Sequence, residues 1–383
     1  MAEKRFLIVA VDLGDNAPGA VFRTIIKSLS KYADIDVVSA VFDKKDPLEG
    51  VGTTKLHHYR LEDWNTTKKL WKTFRFNPND CWWILINLRR AMQTMKGKKY
   101  HGVISFTSMN YFPAIGLGRI LAGLFRLPWS IYTVDGIPSP VEWLDGDDEI
   151  HRLLSSHINR STEKASCIFS SNEYMMRYQK RVCHDFKGKW SYLYTPYKRY
   201  NEPLPAKSDH EGYNFLYAGS LYGLRKIDGL LAAFRSFSQE HPRSKLIFVG
   251  NSDPSLFEDA QDLIQSEKIV MLPFTDDLTP FYKEADVLVD IGADISDDVF
   301  LSSKIVSYLP VDRPILAVTG DNSPARGIMN GLNSIVHCRN KEDEAYKALH
   351  DSIKDIDYGI SDRAGLLKEF DAETIAQKLY DNM

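Results

Sequence analysis

The feature that most constrains this chain is the alternation of short apolar runs with helix-length stretches through its second half. Strand-like runs lie at Asn214–Ala218, Lys245–Val249, Ile269–Leu272, Val287–Ile291, Ile315–Val318 and 334–337. Such runs suit strands buried on both faces. Their separation by helices requires parallel strands joined by right-handed crossovers, a doubly wound α/β sheet. The first half repeats the plan. Residues 6–11 are wholly apolar, 12–19 carry turn chemistry, and Val21, Ile25, Leu29 and Tyr32 recur at helical spacing before a strand at 35–41. Strands follow at 102–106, 129–134 and 167–170, with helices from 113, over 149–164 and over 173–182.

Residues 194–212 are rich in proline and charge, lack periodicity, and read as the linker. The expected organisation is a first Rossmann-like domain over 1–195, a linker over 196–212 and a second Rossmann-like domain over 213–369. Two such domains are expected to face each other across a cleft at the carboxyl ends of their strands, where ligands bind. The length agrees: 383 residues make two domains, or three, at about 150 each.

Composition excludes several classes. With 44% apolar and 26% charged residues the chain is neither disordered nor collagenous, and a net charge of −3 argues against bulk nucleic-acid binding. Cys81, Cys167, Cys183 and Cys338 are scattered, which suits a reducing compartment and neither a disulfide framework nor a zinc site. The ten histidines form no H-x-x-x-H or H-E-x-x-H, so no metal site is expected. The apolar run at 6–11 is shorter than a secretory core and ends at Asp12. Residues 111–134 contain Pro113, Arg119, Arg126 and Pro128 and cannot form one spanning helix. The expected location is cytoplasmic, with peripheral contact at the cytoplasmic face of a membrane.

Two constellations carry anion-binding chemistry. After the strand at Asn214–Ala218 comes a turn with Gly219, Ser220 and Gly223, then Arg225 and Lys226, where a helix is expected to open. Turn N–H groups, a helix N-terminus and two cations can together hold a diphosphate. On local pattern alone, a tight βα turn with solvated cations fits as well. The second constellation is Ser302-Ser303-Lys304, an N-cap followed by a lysine, which alone is equally an ordinary cap. Two such sites at the ends of different strands of one sheet favour phosphate.

The order Gly219…Arg225 followed by Ser302-Ser303-Lys304-x-x-Ser-Tyr-Leu-x-x-x-Arg-Pro-Ile-Leu-Ala resembles the donor domain of GT-B glycosyltransferases, particularly family 4 and its relatives. The resemblance is firm over about 213–340 and architectural over 1–195. It implies that Gly219, Ser220, Arg225, Lys226, Ser302, Ser303 and Lys304 surround a nucleotide-sugar diphosphate, that Gly19 approaches the phosphates, and that anomeric configuration is retained. It also implies that segment 370–383 crosses back onto the first domain. The chain departs from the family pattern in several places. Ser220 stands where an arginine is usual, and the family's paired glutamates fall on Val299 and Ser307. Ser307, Asp297 and Asp298 are the remaining candidates for ribose and sugar hydroxyls. Asp135, at a strand's carboxyl end, is the candidate for accepting or orienting the acceptor's proton, although loop-capping aspartates look the same. Asp145-Gly-Asp147-Asp148 reads as a solvated loop.

A third signal is electrostatic. Residues 66–100 carry nine lysines and arginines against Asp80 alone, interleaved with Trp71, Phe74, Phe76, Trp82 and Trp83. Lys68, Lys69, Lys72, Arg75, Arg89 and Arg90 are thereby candidates for an anionic membrane surface. Solvated helix faces with inward aromatics are the plain alternative, and single-stranded nucleic acid the weakest. The expected activity is transfer of a sugar from a nucleotide-sugar donor to a lipid-linked glycan acceptor, in cell-surface polysaccharide or glycoconjugate synthesis. It needs no cofactor, since cations and helix N-termini can stabilise the leaving diphosphate. A nucleotide-sugar epimerase and a non-catalytic subunit on the same fold are the alternatives.

Overall fold

The computed structural model describes residues 4–109, 112–198, 208–354 and 360–383. The chain divides into two compact units, Met1–Pro196 with Phe370–Met383, and Tyr197–Glu369. Of the linker expected over 196–212, residues 199–207 lie outside the described residues.

In the first unit the elements run β1 (Arg5–Ala10), α1 (Ala17–Leu29), β2 (Asp34–Ser39), β3 (Gly52–Lys55), α2 (Trp64–Phe74), α3 (Pro78–Met95) and β4 (Gly102–Thr107). They continue with α4 (Pro113–Phe125), β5 (Trp129–Thr133), α5 (Asp148–Thr162), β6 (Cys167–Ser170), α6 (Glu173–Val182) and β7 (Lys189–Tyr192). The sheet order is β3-β2-β1-β4-β5-β6-β7, with every pairing parallel. Strand order therefore reverses between β1 and β4, the place where a doubly wound sheet opens a crevice at its strand ends.

The second unit runs β8 (Asn214–Ala218), α7 (Asp228–Glu240), β9 (Lys245–Val249), α8 (Gln261–Gln265), β10 (Ile269–Leu272), α9 (Thr279–Glu284) and β11 (Val287–Ile291). After it come α10 (Ser303–Tyr308), β12 (Ile315–Val318), α11 (Pro324–Ile328), β13 (Ile335–Cys338), α12 (Glu342–Lys354) and α13 (Ala364–Glu369). Its parallel sheet, β10-β9-β8-β11-β12-β13, reverses between β8 and β11. Phe215, Tyr217, Phe234, Phe237, Leu246 and Phe248 fill the space between this sheet and α7. The last helix, α14 (Ala372–Asp381), packs on α1, and Phe370 stacks on Tyr194 at 4.1 Å, so this segment belongs to the first unit's core.

Two local expectations need correction, and two strands were not expected at all. The helix after Gly219 opens at Asp228, not at Arg225 and Lys226, which lie in the preceding loop. The Asp145–Asp148 stretch is not simply solvated: Asp147 caps α5 by accepting from the Ile150 N–H at 3.1 Å. Strands β3 and β7 escape pattern reading because GTTK and KWSY are polar edge strands without an apolar run.

Candidate functional site

The donor-side candidates converge where the second sheet reverses. Gly219 follows β8 with φ +142, a conformation open to glycine, and a Cβ there would lie 2.1 Å from the Lys304 Cε. The lysine stem thus lies directly over the Gly219 backbone. Two hydrogen bonds fix that arrangement. The Tyr308 hydroxyl accepts from the Ala218 N–H at 2.8 Å, tying α10 to the end of β8, and Ser302 Oγ accepts from the Lys304 N–H at 3.2 Å. The Arg225 backbone bridges to Ala293, just beyond β11, and its guanidinium lies over the Tyr222 ring at 5.0 Å.

Asp290 completes the cluster, and sequence reading missed it. It is fully buried near the end of β11 and accepts from Ser302 Oγ at 2.6 Å. Burial raises its pKa, against that hydrogen bond and the nearby charges of Lys304 and Arg225. Its signal was a single carboxylate inside the apolar strand VLVDI. Lys304 is pushed down to about 8, first by burial and then by Arg225, with Asp290 acting in the opposite direction. Keeping Lys304 charged here costs roughly 3 kcal/mol relative to water. A bound polyanion would offset that cost.

The other candidates separate into two groups. Asp298 is buried, accepts from the Phe300 N–H at 3.1 Å, and is pushed up to about 7 mainly by burial. Asp297, Ser303 and Lys226 are exposed, and Ser220 is half-buried. Ser302 donates to Asp290 while capping Lys304, so its hydroxyl holds the lysine in place. Ser307 Oγ donates to the Ser303 carbonyl at 2.8 Å, and Val299 is buried at 2% exposure. The α7 N-terminus, counted above among the diphosphate's partners, faces protein instead. Its Leu230 N–H donates to Asn340 Oδ1 at 3.0 Å, and Gly229 meets the Asn340–Lys341 backbone.

In the first unit, Gly19 is explained by packing. Its N–H donates to the Asn16 cap at 2.8 Å, and a Cβ would strike the Gly14 carbonyl at 2.3 Å. Asp135 follows β5 and accepts from the Met109 N–H at 3.0 Å; burial pushes its carboxyl up to about 6. A carboxyl tuned there can exchange a proton near neutrality.

The cations of α2 are largely spoken for. Lys68 pairs with Asp145 at 2.7 Å, Lys72 with Asp147 at 2.7 Å and Glu149 at 3.6 Å, and Arg75 with Glu149 at 3.7 Å. The charge count over 66–100 therefore overstates the positive field, because the acids come from a segment distant in sequence. Lys69, Arg89 and Arg90 are exposed. Among the described residues one group has metal-ligand geometry: Glu240, His241 and His350, with ligand atoms within 4.8 Å of one another at the end of α7 opposite Asp228. Motif reading could not find it, because His350 comes from α12.

No family model matches this sequence, and no curated protein does. Solved structures do. Anabaena HepE, crystallised with UDP and glucose, matches at 12% identity over 98% of both chains with a TM-score of 0.63. A sucrose-phosphate synthase from Thermosynechococcus elongatus matches at 14% identity, covering 99% of this chain and 98% of that one, with a TM-score of 0.68. The lipopolysaccharide outer core galactosyltransferase WaaB matches at 11% identity over 99% and 98%, with a TM-score of 0.64. The chain has the GT-B glycosyltransferase fold, two doubly wound Rossmann-like domains.

Proposed function

We propose that the protein transfers a sugar from a nucleotide-sugar donor to a lipid-linked glycan acceptor, with retention and without a metal. One observation supports this most: Lys304, on α10 after β11, lies over Gly219 at the end of β8 and near enough to Arg225 for the two charges to interact, at the point where the sheet reverses. Two cations that repel each other there gain most from a diphosphate between them. As the nucleotide leaves, charge grows on its terminal phosphate. The same cations then bind the transition state better than the substrate. Asp290 holds Ser302 and so keeps Lys304 aimed at that position, and Asp298, buried and interacting with the Arg225 charge, is the aspartate assigned to a donor hydroxyl. Asp135 serves the acceptor. Solved proteins of this fold crystallised with UDP or UDP-glucose give the donor class its precedent.

A thermal-shift screen against nucleoside diphosphates and their sugars tests the reading. Stabilisation grows as RT ln(1 + [L]/Kd), so a hit needs no acceptor. EDTA should leave turnover intact. No stabilisation by any diphosphate would defeat the proposal. A non-catalytic donor-binding subunit is the second reading, favoured by the buried Val299 and the engaged Ser307 hydroxyl. Binding without slow donor hydrolysis would select it, and conversion of donor to an isomer would select the epimerase.

A further inference from the structure

Helix α3 has two apolar stripes. Asp80, Trp83, Asn87, Ala91 and Met95 face inward and are buried. On the opposite side, Trp82, Leu85, Arg89, Met92 and Lys96 recur at the same helical spacing, and a surface helix normally keeps that side polar. Trp82 is 65% exposed and Leu85 67%. Helix α4 packs beside α3 and adds Ile120, Leu124 at 57% and Phe125 at its outer end. Between the helices runs an open groove of about 500 Å³, lined by Leu85, Leu88, Met92 and Phe125 with Arg89 and Lys96.

The charge on this face has one sign. Between Asp80 and Asp135 the sequence contains no carboxylate side chain. Exposed Arg89, Arg90, Lys96 and Arg126 therefore have no acid beside them on the outer face, the one acid of α3, Asp80, being buried, whereas the α2 cations pair with the 145–149 segment. Apolar side chains exposed in one patch and rimmed by exposed cations match a bilayer interface with anionic headgroups. Aliphatic side chains such as Leu85, Met92 and Leu124 offer nothing to stacked bases.

We propose that the outer face of α3 and α4 docks the protein on an anionic lipid surface, with Trp82, Leu85 and Leu124 entering the interface and Arg89, Arg90, Lys96 and Arg126 meeting the headgroups. This places membrane contact on α3 and α4 and removes it from α2. It goes beyond the donor-site reading and stands without it, since vesicle binding needs no nucleotide.

Cosedimentation with phosphatidylglycerol–phosphatidylcholine vesicles against pure phosphatidylcholine tests the proposal. Binding should require the anionic lipid and weaken as salt rises. Each removed cation should lower the partition coefficient about fivefold. The Arg89→Ala, Arg90→Ala, Lys96→Ala, Arg126→Ala variant should thus lose binding at least a hundredfold, while Lys68→Ala with Lys72→Ala loses little. Leu85→Ser with Leu124→Ser should weaken binding without altering its salt dependence, and these exposed changes should leave the circular dichroism spectrum unaltered. Equal partitioning on both vesicle types would overturn the proposal. So would loss of binding only in the α2 variant, or a concentration-dependent dimer that Leu85→Glu dissociates.

Discussion

The first βα turn of each unit begins the same way, with a buried strand running into a glycine-bearing loop, yet the two turns treat charge in opposite ways. After β1, Arg23 is 4% exposed and fully answered: it pairs with Asp43 at 3.0 Å and Asp46 at 2.8 Å and donates to the Leu13 carbonyl at 2.9 Å. The Gly19 N–H is likewise taken by Asn16. After β8, Lys304 lies beside the buried Asp290, which accepts from Ser302, and burial with the nearby Arg225 charge holds Lys304 well below its ordinary pKa. Topology alone does not make a phosphate site. The turn whose lysine is held below its ordinary pKa is the one that suits the proposed anionic ligand.

The largest expected effect lies at the closed turn. Arg23→Met leaves Asp43 buried without its cation, and breaking one side of a buried pair costs about 3–5 kcal/mol of stability. Urea unfolding should show this loss, while nucleotide affinity of the folded fraction stays unchanged. A marginal stability change would mean the two turns differ less than described.

At the open turn the pattern reverses. Arg225→Ala or Lys304→Ala should lower kcat/KM by about 2–3 kcal/mol, or about 30- to 200-fold, with a smaller loss in nucleotide affinity. Stability should hold or rise, because an unfavourable charge has gone. Steady-state kinetics beside urea unfolding separates the two turns, and parental turnover in both variants would make these residues ordinary surface cations.

The pH dependence sharpens the contrast further. Lys304 titrates near 8 in the fold against 10.5 unfolded, so the unfolded chain holds more protons between those values. Stability of the free protein should therefore rise with pH through that window, while kcat/KM falls above about pH 8 as the cation is lost. Lys304→Arg should move the falling limb upward. An identical limb in that variant would assign it to another group. Asp298 contributes with the opposite sign: raised to about 7, it holds its proton longer in the fold, so its part of the stability is lost as pH rises from about 4 to 7.

The smallest effect is expected at Asp290→Asn. Removing a charge that raises the Lys304 pKa should shift the kinetic limb downward by less than one pH unit. No movement would leave Asp290 a packing residue.

Much of the fold was legible because buried parallel strands have a local signature: FLIVA and VLVDI carry their burial in their composition. Edge strands lack it, so GTTK stayed invisible. Half of the candidate site was legible for a related reason. Gly219, Arg225 and Lys304 fall at strand ends, which alternation locates. Asp290 was not legible, because a carboxylate within a strand gains meaning only when Ser302 and Lys304 are seen against it. The α2 cations misled for the converse reason: their partners Asp145, Asp147 and Glu149 arrive from across two helices and two strands of chain.

The central claim is that a diphosphate lies between Arg225 and Lys304. Calorimetric titration with UDP at pH 8.5, in two buffers of different ionisation enthalpy, tests it most directly. At that pH Lys304, titrating near 8, is mostly neutral, and a bound diphosphate should restore its charge. Binding should take up about half a proton or more per site, and Lys304→Met should abolish that uptake while weakening affinity. UDP binding with unchanged affinity and unchanged proton uptake in Lys304→Met would contradict the account.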